Sequence, residues 1–209
     1  FLGIGCDELI DLIVRASCRT GEDSILCFPP TYGMYGVVAA TNGVGIREQL
    51  LDEGFQLPPY QTVDARVAFI CSPNNPTGNV MDLPRLAAFL ENFPGLTVID
   101  EAYIDFARTP SALSQLERFP RLIVLRTLSK AWGLAGLRIG AAIAAPEIIG
   151  ILNRIKPPYN ISSPCQELAL RALRNRSNML TQVELLISER KRLSFLLERL
   201  ASVRQVFPS

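Results

Sequence analysis

One lysine, Lys130, stands in a stretch made mainly of residues suited to packing, RTLSKAWGLAGLRIG (residues 126–140). A lysine that is partly removed from water has a lowered pKa, and its amine can then act as a nucleophile or as a base. The alternative is a lysine on an exposed turn, which is where most lysines lie. The sequence makes Lys130 a candidate catalytic amine, and both interpretations stay open at this point.

A carboxylate, Asp100, ends the apolar run LTVID (residues 96–100). A buried carboxylate needs a partner. That partner is either part of the protein, in a helix cap or an ion pair, or the cationic ring nitrogen of a bound molecule. Tyr103 would reach the same site if a turn follows the strand, and otherwise it is a core aromatic residue.

Two proline-containing loops carry further candidates. The run SPNNPTG (residues 72–78) holds Asn74 and Asn75 between prolines. Asparagine and proline commonly form turns, but this run is more rigid and more specific than a spacer requires. Tyr32 follows Pro29-Pro30-Thr31, and its ring would either pack in the core or stack on a planar cofactor.

A glycine turn at GIGCDELI (residues 3–10) precedes a predicted helix, and free N–H groups at a helix N-terminus can bind phosphate. Ser129 and Arg138 could add a hydroxyl and a charged fork to the same anion. Asp7 and Glu8 would repel a phosphate unless their carboxylates point away, and helix capping is the alternative role of this turn. We reject a dinucleotide-binding fingerprint, because Glu8 occupies the third glycine position and no strand is predicted before the turn.

The composition excludes several classes of chemistry. The chain has no histidine, which excludes Ser/His/Asp and Cys/His catalysis within it and argues against a zinc or iron site. Proton transfer would then fall to Lys, Tyr, Asp, Glu or a cofactor. The net charge of +1 indicates neither nucleic acid nor an anionic membrane as a partner, and no apolar run is long enough to span a membrane.

The cysteines are scattered and form no CxxC pair; they are Cys6, Cys18, Cys27, Cys71 and Cys165. This pattern is typical of buried free thiols in a reducing cytosol rather than of a disulfide framework.

Helix and strand patterns alternate along the chain, which predicts an α/β fold with a parallel or mixed sheet covered on both faces. The predicted strands are 24–28, 66–72, a strand beginning at 96, 121–129 and 138–145. The predicted helices are 7–19, 32–41, 82–93, 147–156, 163–174 and 178–201. In such sheets ligands bind outside the carboxyl ends of the strands, so the polar loops described above are expected to meet there.

The last helix, 178–201, is predicted to carry its apolar residues on one side, at positions 183, 186, 187, 193, 196, 197 and 200. The charged run ERKR (residues 189–192) would form its solvated face, with nucleic-acid binding as the weaker alternative.

Taken together, the candidates resemble the fold-type I pyridoxal-phosphate-dependent aminotransferases. SPNNPTG, DEAY (residues 100–103) and TLSKAWGLAGLRIG follow one another in that family's order. GCDELIDLI (residues 5–13), PPTYGMY (residues 29–35) and DEAYIDF (residues 100–106) are similar to the histidinol-phosphate branch of the family. The resemblance covers essentially the whole chain.

The resemblance implies pyridoxal 5′-phosphate as cofactor, held as a Schiff base on Lys130, with Lys130 also moving the substrate proton. Asp100 would keep the ring nitrogen protonated, so that the ring withdraws electrons. Asn75 and Tyr103 would bind the phenolic oxygen of the ring. Tyr32 would stack on the ring face.

The resemblance also implies the grip on the phosphate and the organisation of the chain. The backbone amides of Cys6 and Asp7, together with Ser129 and Arg138, would hold the phosphate. The expected fold is a three-layer α/β/α sandwich with a mostly parallel sheet. Residues 1–146 would form the cofactor-binding large domain, and residues 147–209 the interdomain helices and the start of a small C-terminal domain.

The reaction implied is amino transfer from L-histidinol phosphate to 2-oxoglutarate, giving imidazole-acetol phosphate and L-glutamate, in a cytoplasmic homodimer with the site at its interface. The chain does not contain the family's N-terminal segment, whose tyrosine reaches the partner's phosphate, or the C-terminal arginine that binds the substrate carboxylate. We therefore expect a part of a longer protein. The alternatives are another enzyme of the same fold type, such as another aminotransferase or an O-phosphothreonine decarboxylase, and a non-catalytic effector domain.

Overall fold

The computed structural model describes residues 1–207, which contain a seven-stranded sheet. The strands are β1 (Leu2–Ile4), β2 (Ser24–Cys27), β3 (Gly45–Glu48), β4 (Val67–Cys71), β5 (Leu96–Asp100), β6 (Leu122–Thr127) and β7 (Ile139–Ala144). Their order across the sheet is β1-β7-β6-β5-β4-β2-β3. The strands from β3 to β6 in this order run parallel, whereas β7 is antiparallel to β6, and β1 is antiparallel to β7. The sheet is mixed and mostly parallel, as the sequence predicted.

The α-helices of the described chain are α1 (Gly5–Ser17), α2 (Met34–Thr41), α3 (Leu83–Asn92), α4 (Pro146–Ile155), α5 (Ser163–Arg174) and α6 (Arg176–Leu197). Each begins and ends within a few residues of a predicted helix. None is both long and apolar enough to cross a membrane, within the part of the chain that the structure describes.

Both faces of the sheet are covered, because alternate residues of the central strands point to opposite sides. Phe69 and Val98 pack in the cluster formed with α1 and α2. Ile70 and Ile99 pack in a second cluster. That cluster includes Leu86 and Phe89 of α3, and Phe93, which follows the helix directly. These two apolar clusters make the three-layer α/β/α sandwich that the family resemblance implied.

Two short strands were not predicted, and one of them corrects an argument made from the sequence. β1 lies directly before the glycine turn, so the statement that no strand precedes the turn is wrong. The occupation of the third glycine position by Glu8 still separates the turn from a dinucleotide fingerprint. β3 is exposed at every residue, and its sequence GIRE offers no apolar pattern.

The apolar side predicted for the last helix is only partly buried. Met179, Val183 and Ile187 pack against Ala131, Phe106 and Trp132. Several predicted members of that side are exposed by about half, among them Leu186, Leu193, Leu196 and Leu200. The prediction is wrong for these leucines: within the described chain, the buried residues of α6 are Met179, Val183 and Ile187 alone, and Leu200 lies beyond the end of the helix.

Candidate functional site

A pocket of about 160 Å³ lies at the carboxyl ends of the central parallel strands, β4, β5 and β6. The sequence-predicted site residues all line it; they are Cys6, Asp7, Tyr32, Asn75, Asp100, Tyr103, Ser129, Lys130 and Arg138. The structure adds Cys71, Ala102 and Thr127 to the lining. The loops that were expected to meet at the carboxyl ends of the strands do meet, and their candidate residues face one cavity.

Asp100 is the buried acid of the pocket, with 3% of its surface exposed. Its Oδ2 accepts a hydrogen bond of 3.0 Å from the Tyr35 hydroxyl, and its Oδ1 accepts one of 3.1 Å from the N–H of Ala102. Burial raises the pKa of Asp100, while these two donors act in the opposite direction. No lysine or arginine of residues 1–207 forms an ion pair with it, so the carboxylate retains the capacity to accept a donor from a ligand in the pocket.

Tyr35 was missed by the sequence reasoning. Its side chain is fully buried, stacks on Phe69 at 4.9 Å between ring centroids, and meets Tyr32 edge-on at 5.6 Å. The signal that could have found it is its position in PPTYGMY, one helical turn after the candidate Tyr32.

Lys130 is exposed in the structure, which contradicts the prediction of a partly desolvated amine. Its Nζ lies 5.1 Å from the centroid of the Tyr103 ring. The carbonyl of Lys130 accepts a hydrogen bond of 3.0 Å from the N–H of Gly133, which closes the turn around it. Lys130 is exposed because it lies on the turn that follows β6, beside the pocket that it lines.

The first turn of α1 approaches β7 so closely that both contact positions are glycines. A Cβ atom on Gly140 would lie 2.5 Å from the carbonyl carbon of Gly5 and 2.7 Å from the nitrogen of Cys6. Gly5 has φ +73°, and a Cβ atom there would lie 2.6 Å from an Arg138 guanidinium nitrogen. The backbone amides at the start of α1 are therefore held beside Arg138.

Arg138 and Ser129 lie on the two chain segments that flank this turn. Arg138 adopts the left-handed conformation, φ 51° and ψ 51°, directly before β7. The N–H of Ser129 donates a 3.0 Å hydrogen bond to Thr127 Oγ1, and the two hydroxyl oxygens are 2.9 Å apart. Thr127, which the sequence reasoning missed, thus orients the Ser129 side of the pocket.

The acids of the first turn behave differently from each other. Glu8 Oε2 turns back to accept a 2.6 Å hydrogen bond from the N–H of Ile4, so it does point away from the pocket. Asp7 does not: its carboxylate accepts a 3.0 Å hydrogen bond from the Tyr32 hydroxyl and pairs with Arg138 at 3.3 Å. Burial, followed by the nearby Asp7, raises the pKa of Tyr32, so Tyr32 remains a hydroxyl donor.

The two asparagines of SPNNPTG have separate positions. Asn74 is buried, and its amide donates to the carbonyl of Pro30 at 2.8 Å and to Thr77 at 2.7 Å, while its Oδ1 accepts from Thr31 at 3.0 Å. These bonds join the loop that carries Tyr32 to the loop that carries Asn75. Turn chemistry therefore explains Asn74, and Asn75 lines the pocket.

In the segment DEAY (residues 100–103), the second acid, Glu101, anchors the turn through hydrogen bonds. Glu101 is 3% exposed and accepts hydrogen bonds of 2.7 Å from the Ser111 hydroxyl and from the N–H of Ala112. Arg126 Nε lies 2.9 Å from its Oε2. This satisfied carboxylate fixes the turn between Asp100 and Tyr103.

All five cysteines are free. The prediction of buried thiols is confirmed for Cys27 and Cys71, and wrong for Cys6, Cys18 and Cys165, which are partly exposed. Burial raises the pKa of the Cys71 thiol at the pocket to about 12. Within residues 1–207, no group of three or more Cys, Asp or Glu side chains is arranged to hold a metal ion.

Comparison with known proteins identifies the family to which the chain is similar. The family described as Aminotransferase class I and II matches residues 1–208. A curated relative from Parabacteroides distasonis, named histidinol-phosphate aminotransferase, is 49% identical over 214 aligned positions that include 100% of this chain and 62% of the relative. The chain thus spans about three fifths of the length of such relatives.

Two solved structures share the fold. The histidinol-phosphate aminotransferase from Clostridium acetobutylicum superposes with a TM-score of 0.90 and 25% identity, covering 100% of this chain and 64% of the other. The histidinol-phosphate aminotransferase from Sinorhizobium meliloti, solved in complex with pyridoxal 5′-phosphate, gives a TM-score of 0.83 with 24% identity, covering 94% of this chain and 56% of the other.

Proposed function

The chain belongs to the aminotransferase class I and II family, and on that premise we propose that it is the cofactor-binding part of an enzyme that transfers the amino group of L-histidinol phosphate to 2-oxoglutarate. The products would be imidazole-acetol phosphate and L-glutamate, in histidine biosynthesis. The names of the relatives support this choice of substrate. The observation that carries the proposal is the convergence of Asp100, Lys130, Asn75 and the Gly5 turn on one pocket.

The pocket residues fit pyridoxal 5′-phosphate. The same cavity is lined by the buried carboxylate of Asp100 and the primary amine of Lys130. It also holds a set of anion-binding groups: the Arg138 guanidinium, the Ser129 hydroxyl and the amides at the start of α1. These are the chemical partners of a pyridine nitrogen, an aldehyde and a phosphate. When bound, the cofactor supplies an electron-withdrawing ring that stabilises negative charge on the substrate carbon.

Asp100 would pair with the ring nitrogen and keep it protonated. Its burial strengthens that ion pair, because the low local dielectric weakens the competition from water. Tyr32 would stack on the ring, while Asn75 and Tyr103 would donate hydrogen bonds to the phenolic oxygen.

Lys130 would hold the cofactor covalently and, once released by the substrate, take the proton from the substrate Cα. Its amine lies over the Tyr103 ring at 5.1 Å and forms no ion pair within residues 1–207, so it is not held by a carboxylate. One lysine would thereby perform the proton transfer for which a chain without histidine has few other groups.

The phosphate would bind to the amides of Cys6 and Asp7, to the Ser129 hydroxyl and to the Arg138 guanidinium. The ion pair between Asp7 and Arg138 means that the Asp7 carboxylate and the phosphate would share the same cation. Tyr32, which donates to Asp7, would offset part of the resulting repulsion.

The remaining organisation is also proposed. Residues 1–146 would form the large domain and residues 147–209 the start of a small one, of which residues 208–209 lie outside the described chain. We expect a homodimer with the site at its interface, supported by the exposure of Lys130 and Arg138 beside the pocket. A cytoplasmic location is supported by the five free thiols, which are typical of a reducing compartment.

A panel of amino donors on the full-length protein tests the substrate. We expect turnover with L-histidinol phosphate and 2-oxoglutarate. Good turnover of a different donor with none of histidinol phosphate would refute the substrate, and release of CO₂ from O-phosphothreonine would indicate the decarboxylase instead.

Borohydride reduction in the presence of pyridoxal 5′-phosphate tests the site separately. We expect a single labelled peptide containing Lys130, and no label in Lys130→Ala. Lys156→Ala is the matched control, because Lys156 lies after α4 and does not line the pocket. Labelling of any other lysine in the unmutated protein would overturn the assignment.

A further inference from the structure

We infer that Tyr35 is a positioning residue for the proposed reaction, and that its hydroxyl holds the Asp100 carboxylate in the orientation that receives the ring nitrogen of the cofactor. This inference rests on the function proposed above. It concerns a residue of α2 that does not line the pocket and would act on the cofactor only through Asp100.

The packing around Tyr35 does not require a hydroxyl. The ring is fully buried, stacked on Phe69 at an interplanar angle of 14° and perpendicular to Tyr32. A phenylalanine would make the same ring contacts. A buried hydroxyl has to be hydrogen-bonded to avoid a free-energy cost, and this one donates to Asp100 Oδ2 at 3.0 Å.

The two donors to Asp100 fix both of its oxygens. The N–H of Ala102 follows Asp100 in the chain and binds Oδ1, whereas Tyr35 comes from the helix on one face of the sheet and binds Oδ2. A carboxylate oxygen can accept two hydrogen bonds. Each oxygen therefore keeps one position that can accept a further hydrogen bond. The orientation of the carboxylate is set by two donors, one on each oxygen.

Tyr35 also favours the ionised form of Asp100. Burial raises the pKa of Asp100, and the hydrogen bonds from Tyr35 and from the N–H of Ala102 lower it. The negative charge of Asp7 raises this pKa, and the positive charge of Lys130 lowers it. The titratable groups around the acid come from α1, the loop before α2, α2, β4 and the turns after β5 and β6, namely Cys6, Asp7, Tyr32, Tyr35, Cys71, Tyr103 and Lys130. Burial and the adjacent Asp100 raise the pKa of Tyr35 well above its ordinary value, so Tyr35 stays a donor over the whole working range.

Tyr35→Phe tests the inference in the full-length protein, first without cofactor. With ¹³C-labelled aspartate, the NMR titration midpoint of Asp100, assigned from Asp100→Asn, is expected to rise by about one pH unit, since a hydrogen bond to a charged group contributes that much. Tyr60→Phe is the matched control, because Tyr60 packs with Phe89 in the other apolar cluster and its hydroxyl makes no hydrogen bond within residues 1–207. An unchanged midpoint in Tyr35→Phe would overturn the inference.

The second readout uses ¹⁵N-labelled pyridoxal 5′-phosphate bound to the same proteins. We expect the ring nitrogen to be less protonated in Tyr35→Phe at a given pH, and kcat to fall about tenfold with a smaller change in KM. If the label binds with its nitrogen unprotonated in the unmutated protein, the proposed function fails while the cofactor-free titration still decides the role of Tyr35.

A graded substitution covers the case in which Tyr35→Phe does not fold. Tyr35→3-fluorotyrosine keeps the ring and makes the hydroxyl a stronger donor. The Asp100 midpoint is then expected to move down, opposite to the effect of Tyr35→Phe. A midpoint that stays in place or rises would contradict the inference.

Discussion

Gly140→Ala is predicted to damage both the stability of the fold and the phosphate end of the pocket. The new methyl group would lie 2.5 Å from the carbonyl carbon of Gly5, 2.7 Å from the nitrogen of Cys6 and 2.8 Å from the carbonyl oxygen of Gly5. All three atoms belong to the backbone of the first turn of α1, so no side chain can swing aside. β7 and the start of α1 would have to separate.

The magnitude follows from the cost of overpacking. Forcing one methyl group into a closed contact typically costs about 1–3 kcal/mol. A loss of about 2 kcal/mol corresponds to a fall in Tm of about 4–8 °C for a domain of this size. The amides of Cys6 and Asp7 would shift with the turn, so we expect the affinity for pyridoxal 5′-phosphate to fall about tenfold as well.

Gly150→Ala provides the control for this experiment. Gly150 lies inside α4, and a Cβ atom there would have no neighbour within 4 Å. Alanine in a helix interior stabilises by roughly 0.5–1 kcal/mol relative to glycine. Urea unfolding followed by circular dichroism should therefore place the two variants on opposite sides of the unmutated protein, and equal midpoints for both would refute the reasoning from contact distances.

Two further predictions concern ionisable groups. Asp100→Asn is expected to retain pyridoxal 5′-phosphate, measured by its absorbance after gel filtration, but to lose most of the transamination rate, because a neutral amide does not keep the ring nitrogen protonated; near-normal turnover would contradict that role. Burial, followed by Glu48, raises the pKa of Cys27 to about 12, so the folded state holds this proton more tightly than the unfolded chain. Stability contributed in this way is present below the ordinary cysteine pKa and is lost as the pH rises toward 12; the alkaline decline of Tm should be shallower in Cys27→Ala than in the unmutated protein, and equal slopes would show that another group causes it.

The long elements of the fold could be predicted from the sequence, because their apolar patterns are strong. LTVID and VAFIC are continuous apolar strands, and their observed bounds lie within a residue of the predicted ones. β3 could not be found, since GIRE has neither alternation nor an apolar run and is a strand only because it pairs with β2.

The site was predictable to the extent that its residues lie in loops after strands. Tyr35 was not, because its role depends on a contact with a residue 65 positions away, which no local pattern reports. The orientation of Asp7 could not be predicted either, because the sequence does not show which way a first-turn carboxylate points. It faces Arg138, which is distant in sequence and reaches Asp7 only once β7 has packed against α1.

The direction of the strands explains why residues before some strands meet residues after others. β4, β5 and β6 are parallel, so their carboxyl ends lie at the same edge of the sheet. Asn75 and Ser129 follow β4 and β6 there, and Asp100 is the last residue of β5. β7 is antiparallel to β6, with Thr127 opposite Gly140, so Arg138 reaches that edge by preceding its strand. β1 reverses direction once more, with Ile4 opposite Ile139, and returns the Gly5 turn to the same edge. The start of α1 follows β1, which runs in the same direction as β6, so it would lie at this edge in a wholly parallel sheet as well. Arg138 precedes β7, so the reversal of β7 is what brings it to the end of β6; a wholly parallel sheet with the same strand order would leave it at the opposite edge.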